Sequence, residues 1–144
     1  MLCPVCDDVE MFVLEFEQVE VDYCPKCGGV WLDSGELALI GRKAGALHAD
    51  LLAALEKEKG EPAEPGTARR CPVCRKRLLT VQTGAAQPIV IDRCPGGDGL
   101  WFDRGELPAV VEAAGADGQN VLARFFAELG GPKKGKGNPK QEGR

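Results

Sequence analysis

The chain has 144 residues and a formal net charge of −4, long enough for one ordinary domain. A duplication described below divides it instead into two units of about 35–45 residues, a size that usually needs a metal, disulfides or a partner to stay folded. Seven cysteines are an odd number and a poor disulfide framework, and no apolar run approaches the roughly 18 residues of a membrane span. With Cys3 so near the start, no cleavable leader is expected ahead of it, and the chain reads as a soluble cytoplasmic protein.

Taken in order, Cys3 and Cys6 form a CPVC knuckle, and Cys24 and Cys27 form a second CxxC 17 residues further on. Between them, Phe12, Leu14 and Phe16 alternate, and after Glu17-Gln18 so do Val19, Val21 and Tyr23. The pattern predicts a hairpin with Phe16 opposite Val19, Leu14 opposite Val21 and Phe12 opposite Tyr23. Asp33 and Glu36 then have the spacing of a capping box, in which the aspartate would satisfy free amides of a helix start. A short helix should pause near residues 41–45. A second, over residues 46–59, should present Leu47, Leu51, Leu52 and Leu55 on one face. Residues 60–70 contain prolines and glycines and read as a linker.

The second unit repeats the first. Residues 94–107 match residues 24–37 at 8 of 14 positions, and a second CPVC stands at 71–74. Cys71, Cys74 and Cys94 recur, but Gly97 stands where the fourth cysteine should be. Leu79 and Val81 are expected to face Ile91 and Ile89 across a longer loop at 83–87. Asp103 and Glu106 repeat the capping box, and Pro108 should make this helix begin later than its twin. A last helix is expected over about 118–129, ended by Gly130-Gly131-Pro132, and residues 132–144 should be a disordered basic tail. The division is therefore 1–59 for the first unit with its helices, 60–70 for the linker, 71–131 for the second, degenerate unit, and 132–144 for the tail.

Two CxxC turns joined by a hairpin close a tetrahedron of four thiolates: Cys3, Cys6, Cys24 and Cys27. Zinc suits it, and four sulfurs leave no open position for catalysis, so the metal would be structural. Its contribution to folding could reach about 10–16 kcal/mol. Iron is the chemical rival in such a site. In the second unit Cys71, Cys74 and Cys94 give three ligands. Asp98, one position past the missing cysteine, is the candidate for the fourth; a water, a ligand from elsewhere or a metal-free unit are the alternatives. An oxygen donor would make this the weaker and more pH-sensitive site. His48 reads as a solvated helix residue, and Trp31 and Trp101 as core anchors. Asp33, Glu36, Asp103 and Glu106 read as caps and not as catalytic carboxylates, so no catalytic residue is assigned.

At CPVC followed by YCPKCGGVWLDSGEL the chain resembles the bacterial transcription-factor-IIB-type zinc-ribbon family, closely over residues 1–40 and, with the Gly97 departure, over 70–110. The resemblance implies zinc on Cys3, Cys6, Cys24 and Cys27 and on Cys71, Cys74 and Cys94. It implies a small metal-stabilised α+β fold of two tandem zinc ribbons, each a hairpin with knuckles followed by helix. The expected function is that of a non-enzymatic zinc-binding protein acting through protein contacts, with transcription as the suggested setting. Two alternatives are a nucleic-acid-binding regulator using the basic tail, and a metal-dependent redox or enzyme activity at the incomplete second site. Zinc on seven deprotonated cysteines takes the net charge from −4 to about −7. Residues 130–144 hold +4 of that balance, so the rest is strongly acidic. Such a body should repel a phosphate backbone, leaving the tail as the route to nucleic acid.

Overall fold

The computed structural model describes residues 1–62, 69–82 and 89–115, together with Arg124 and Glu128. The expected last helix and basic tail lie outside the described residues, apart from those two positions. In the first copy, β1 (Phe12–Phe16) and β2 (Val19–Tyr23) form the predicted hairpin in the predicted register. Glu17 and Gln18 both adopt left-handed φ, 54° and 66°, the geometry of a two-residue turn that matches strand twist. Neither residue type is favoured there, so the strand pairing rather than the turn chemistry sets this register.

Strand β3 (Val30–Asp33) follows the second knuckle and pairs with β2. The second copy supplies β5 (Leu79–Gln82), β6 (Val90–Arg93) and β7 (Gly99–Phe102). A two-residue strand β4 (Glu61–Pro62), within the stretch read as a linker, pairs with β5. All neighbours are antiparallel, and the order is β1-β2-β3-β7-β6-β5-β4. The sheet runs from one copy into the other through β3 and β7, with Trp31 opposite Trp101, Val30 opposite Phe102 and Leu32 opposite Leu100. The pairing reads the same from either copy.

The second hairpin departs from expectation. Val81 lies opposite Ile91 and Leu79 opposite Arg93, a slip of two residues from the expected pairing. Because side chains alternate with period two, such a slip keeps every residue on its original face, and periodicity cannot detect it.

Three helices cover one face: α1 (Glu36–Lys43), α2 (Ala49–Leu55) and α3 (Glu106–Ala113). Leu37, Ile40, Leu52, Leu107, Val110 and Val111 pack there against Val19, Val21, Leu32, Leu100 and Phe102. The opposite face holds Trp31 and Trp101 with Cys3, Cys24, Cys71, Cys94, Met11 and Leu78. The central strands are thus buried on both sides, helices on one and metal-ligand knuckles on the other.

Three helix expectations need correction. Pro108 does not delay α3, which starts at Glu106 as α1 starts at Glu36; within the first turn its missing N–H has no helical partner to lose. Helix α2 is shorter than expected. The Leu47 and His48 amides bond to the Gly115 and Ala114 carbonyls at the end of α3, so tertiary contact keeps them out of the helix. Leu52 and Leu55 are buried, but Leu47 and Leu51 are 81% and 59% exposed. Finally, neither aspartate caps a helix amide; α1 and α3 have no side-chain cap, and a left-handed glycine, Gly35 or Gly105, precedes each.

Candidate metal centres

The carboxylates taken for caps do different work. Trp31 Nε1 donates to Asp33 Oδ1 at 3.0 Å and Trp101 Nε1 to Asp103 Oδ1 at 3.1 Å, which satisfies the polar atom of each fully buried indole. Only the glutamate half of the box forms: the Asp33 and Asp103 amides donate to Glu36 and Glu106. Burial lifts both glutamates to about 7. In the second copy Arg69 adds ion pairs to Asp92 at 3.1 Å and Asp103 at 2.9 Å.

The indoles also tie the copies together. A Cβ on Gly29 would overlap the Trp101 ring, and one on Gly99 would meet the Trp31 ring and the Leu32 carbonyl. Each tryptophan therefore lies on the glycine that opens the other copy's strand. They are core residues, as the sequence suggests, but they anchor the seam between copies rather than one hairpin.

The first cluster gathers the four predicted cysteines, with all ligand atoms within 4.8 Å of one another. Cys3 Sγ lies 3.7 Å from Cys27 Sγ, and Cys6 Sγ lies 3.8 Å from Cys24 Sγ. Four sulfurs at about 2.3 Å from zinc in a regular tetrahedron sit about 3.8 Å apart, so the cage already has zinc's dimensions. The knuckle backbones are turned toward the sulfurs. The Val5 and Cys6 amides each lie 3.3 Å from Cys3 Sγ, and the Cys27 amide lies 3.4 Å from Cys24 Sγ. Such donors stabilise thiolates. Without metal, burial pushes the Cys6 thiol up to about 11 and raises Cys27 as well.

The second cluster brings together Cys71, Cys74, Cys94 and Asp98, again within 4.8 Å. Cys74 and Cys94 sulfurs are 3.6 Å apart, and Asp98 Oδ2 is 3.5 Å from both Cys71 and Cys94. Zinc bound to sulfur at about 2.3 Å and to oxygen at about 2.0–2.2 Å sets that sulfur–oxygen distance at about 3.5–3.7 Å. Three sulfurs and this oxygen therefore fit the ion as the four sulfurs do. Burial pushes the Cys71 thiol to about 12, and thiol hydrogen bonds, Cys74 foremost, hold the Asp98 carboxyl below its usual range. Asp98 is thus ready to bind as a carboxylate, while the Cys71 thiol must give up its proton.

The backbone explains why the fourth donor moves by one residue. In the first copy Gly28, next to Cys27, has φ 78°, and its amide bonds the Cys24 carbonyl at 2.9 Å. In the second copy the left-handed position comes one residue earlier, at Gly97 with φ 85°, and its amide bonds the Cys94 carbonyl at 3.0 Å. Both knuckles rejoin at the same point, with Cys24 bonded to the Gly29 carbonyl and Cys94 to that of Gly99, each at 3.0 Å. A Cys-Gly pair has become a Gly-Asp pair, and the longer reach of aspartate fills the vacated corner. His48 is exposed just before α2 and belongs to neither cluster.

Two hairpins with paired knuckles, each closing a four-donor cluster beside a shared sheet, define a double zinc ribbon. The family model described as "Transcription factor zinc-finger" matches residues 2–43 and again 70–113. With more than half its length matched in two copies, the chain belongs to this family. No curated protein and no solved structure matches it. Among the described residues no helix is long and apolar enough to cross a membrane.

Proposed function

We propose that this protein is a non-enzymatic, zinc-stabilised adaptor that acts through protein contacts, in a setting of transcription. The observation that carries the reading is the design of the two clusters. Each supplies four donors at zinc spacing, and the cysteines other than the exposed Cys74 pack with the seam tryptophans in one group. Metal held in that way supports a surface and leaves no open coordination position for a substrate. The family description supports transcription as the setting. Exposed apolar side chains suited to a partner are Phe12 and Val13 on the edge strand β1, Leu47 just before α2 and Leu51 within it.

The test is in-cell cross-linking of the tagged, zinc-loaded chain with identification of the captured protein. The expected result is a transcription component whose capture drops about tenfold in Val13→Asp or Leu51→Asp variants that keep both zinc ions. Capture unaffected by either surface change, or a metal-dependent turnover of a small molecule, would overturn the reading.

A further inference from the structure

Charge is sharply segregated along the chain. Residues 1–23 carry seven carboxylates and no lysine or arginine, whereas residues 69–77 carry five cations and no carboxylate. Arg69 is committed to its ion pairs with Asp92 and Asp103. The other four, Arg70, Arg75, Lys76 and Arg77, are exposed around the second CPVC knuckle. Arg70 lies directly opposite Arg77 in an antiparallel bridge, so both side chains leave the same side of the ladder. Like charges in that arrangement destabilise a sheet. Arg70 Nη1 also donates to the Arg75 carbonyl at 3.0 Å, which holds its head group over the knuckle. Among the described residues no carboxylate lies within ion-pair distance of these three guanidinium groups.

Arg70 and Arg75 line a pocket of about 270 Å³ whose other wall is Pro4, Val5 and Asp7 of the first copy's knuckle. The pocket therefore sits between the two metal-ligand knuckles, with two arginines on one side and Pro4, Val5 and the Asp7 carboxylate on the other. Three guanidinium groups gathered without anionic partners weaken the fold unless a ligand neutralises them. Their planar forks match the paired oxygens of a phosphodiester. A second basic segment, residues 130–144 at +4, favours a long polyanion of regularly repeating charge over a compact acidic patch on a protein. The acidic remainder of the chain does not forbid this, because charges beyond about 8 Å are largely screened at physiological salt.

We infer that Arg70 and Arg75, at the pocket between the two knuckles, together with Arg77 opposite Arg70, form a sequence-independent contact for the phosphate backbone of nucleic acid. This contact is separate from the protein surface proposed above, so either can fail alone. Asp7, on the pocket rim, opposes it.

The experiment uses the full-length, zinc-loaded chain and fluorescein-labelled 20-mer DNA, single-stranded and duplex, read by polarisation from 50 to 200 mM salt. Three phosphate contacts predict a log–log salt slope of about −2 to −3 beyond whatever the tail adds. Arg70→Glu with Arg77→Glu should weaken binding at least about tenfold at 50 mM salt, and Asp7→Asn should tighten it about two- to threefold. Zinc content reports folding, and Arg70→Gln with Arg77→Gln replaces the glutamate pair if that pair loses metal. The arginine-dependent part should survive deletion of 132–144. Binding that vanishes with the tail and ignores the arginine changes would overturn the inference. So would displacement of the oligonucleotide by poly-glutamate at equal charge, which would mark the patch as a site for acidic protein.

Discussion

Gly97 stands where the first copy has Cys27, yet its backbone takes the part of Gly28. A cysteine placed at position 97 alone would have to adopt φ 85°, a strained region for any side chain with a Cβ. Gly97→Cys by itself should therefore gain little, whereas Gly97→Cys with Asp98→Gly should restore the first copy's knuckle. With cobalt in place of zinc, the double change should raise thiolate charge-transfer absorbance by about one seventh, from seven sulfurs to eight. Asp98→Ala should weaken only the second site, by about tenfold or more in a chelator competition. One zinc per chain, unchanged by Asp98→Ala, would mean that the second cluster holds no metal. The sign of the pH dependence follows from the thiols. Burial raises Cys6 to about 11 and Cys71 to about 12, so near neutral pH these two metal-free thiols hold their protons and zinc must displace them. Acid therefore favours release at both clusters. The second site has three thiols to the first site's four and, in Asp98, a carboxyl held below its usual range. It should empty first on acidification, being the weaker, but with the shallower slope of affinity against pH, which reverses the greater pH sensitivity expected of an oxygen donor. A chromogenic chelator titrated from pH 8 to pH 5 would separate the two curves.

At the level of elements, β3 and β7 are the strands on which the copies meet, and Gly29 and Gly99 let the indoles lie flat on them. Gly29→Ala should drive a methyl into the Trp101 ring, costing about 1–3 kcal/mol and lowering the melting temperature by several degrees. Replacing the exposed Gly96, whose Cβ would have neighbours no closer than 3.7 Å, is the control and should cost much less. The gathering of the cysteines and Asp98 into two clusters and the first hairpin register were legible in the sequence, because each depends on local spacing or on alternation over a few residues. The seam was not. Nothing in the periodicity of Val30-Trp31-Leu32 names a partner seventy residues away, although an apolar run without alternation does indicate a strand buried on both faces. The Asp-Trp bonds were hidden for a different reason: the spacing of Asp33 and Glu36 fits a capping box, and half of that box does form. The shortening of α2 likewise depends on carbonyls at the end of α3, outside the reach of any local pattern.

For the molecule as a whole, a continuous sheet couples two clusters that the sequence alone would treat as independent. Thermal unfolding of the zinc-loaded chain should be one transition. Cys27→Ser, expected from two separate units to spare the second, should instead disturb both tryptophans, read by near-UV circular dichroism. Two resolved transitions, or an unaltered Trp101 signal, would show that the seam transmits little. The register at this seam has a further consequence. A pairing that reads identically from both sides is the contact of an isologous dimer, so one copy standing alone would present a surface complementary to itself. Joining two copies in one polypeptide makes that dimer permanent at any concentration and removes the requirement that both halves be the same. The differences then become intelligible as divergence within a fused pair: one half keeps four thiolates and an acidic hairpin, while the other exchanges a sulfur for a carboxylate, gains Arg69 beside Asp92 and Asp103 and gathers cations on its knuckle. A symmetric homodimer would have had to accept each of those changes twice.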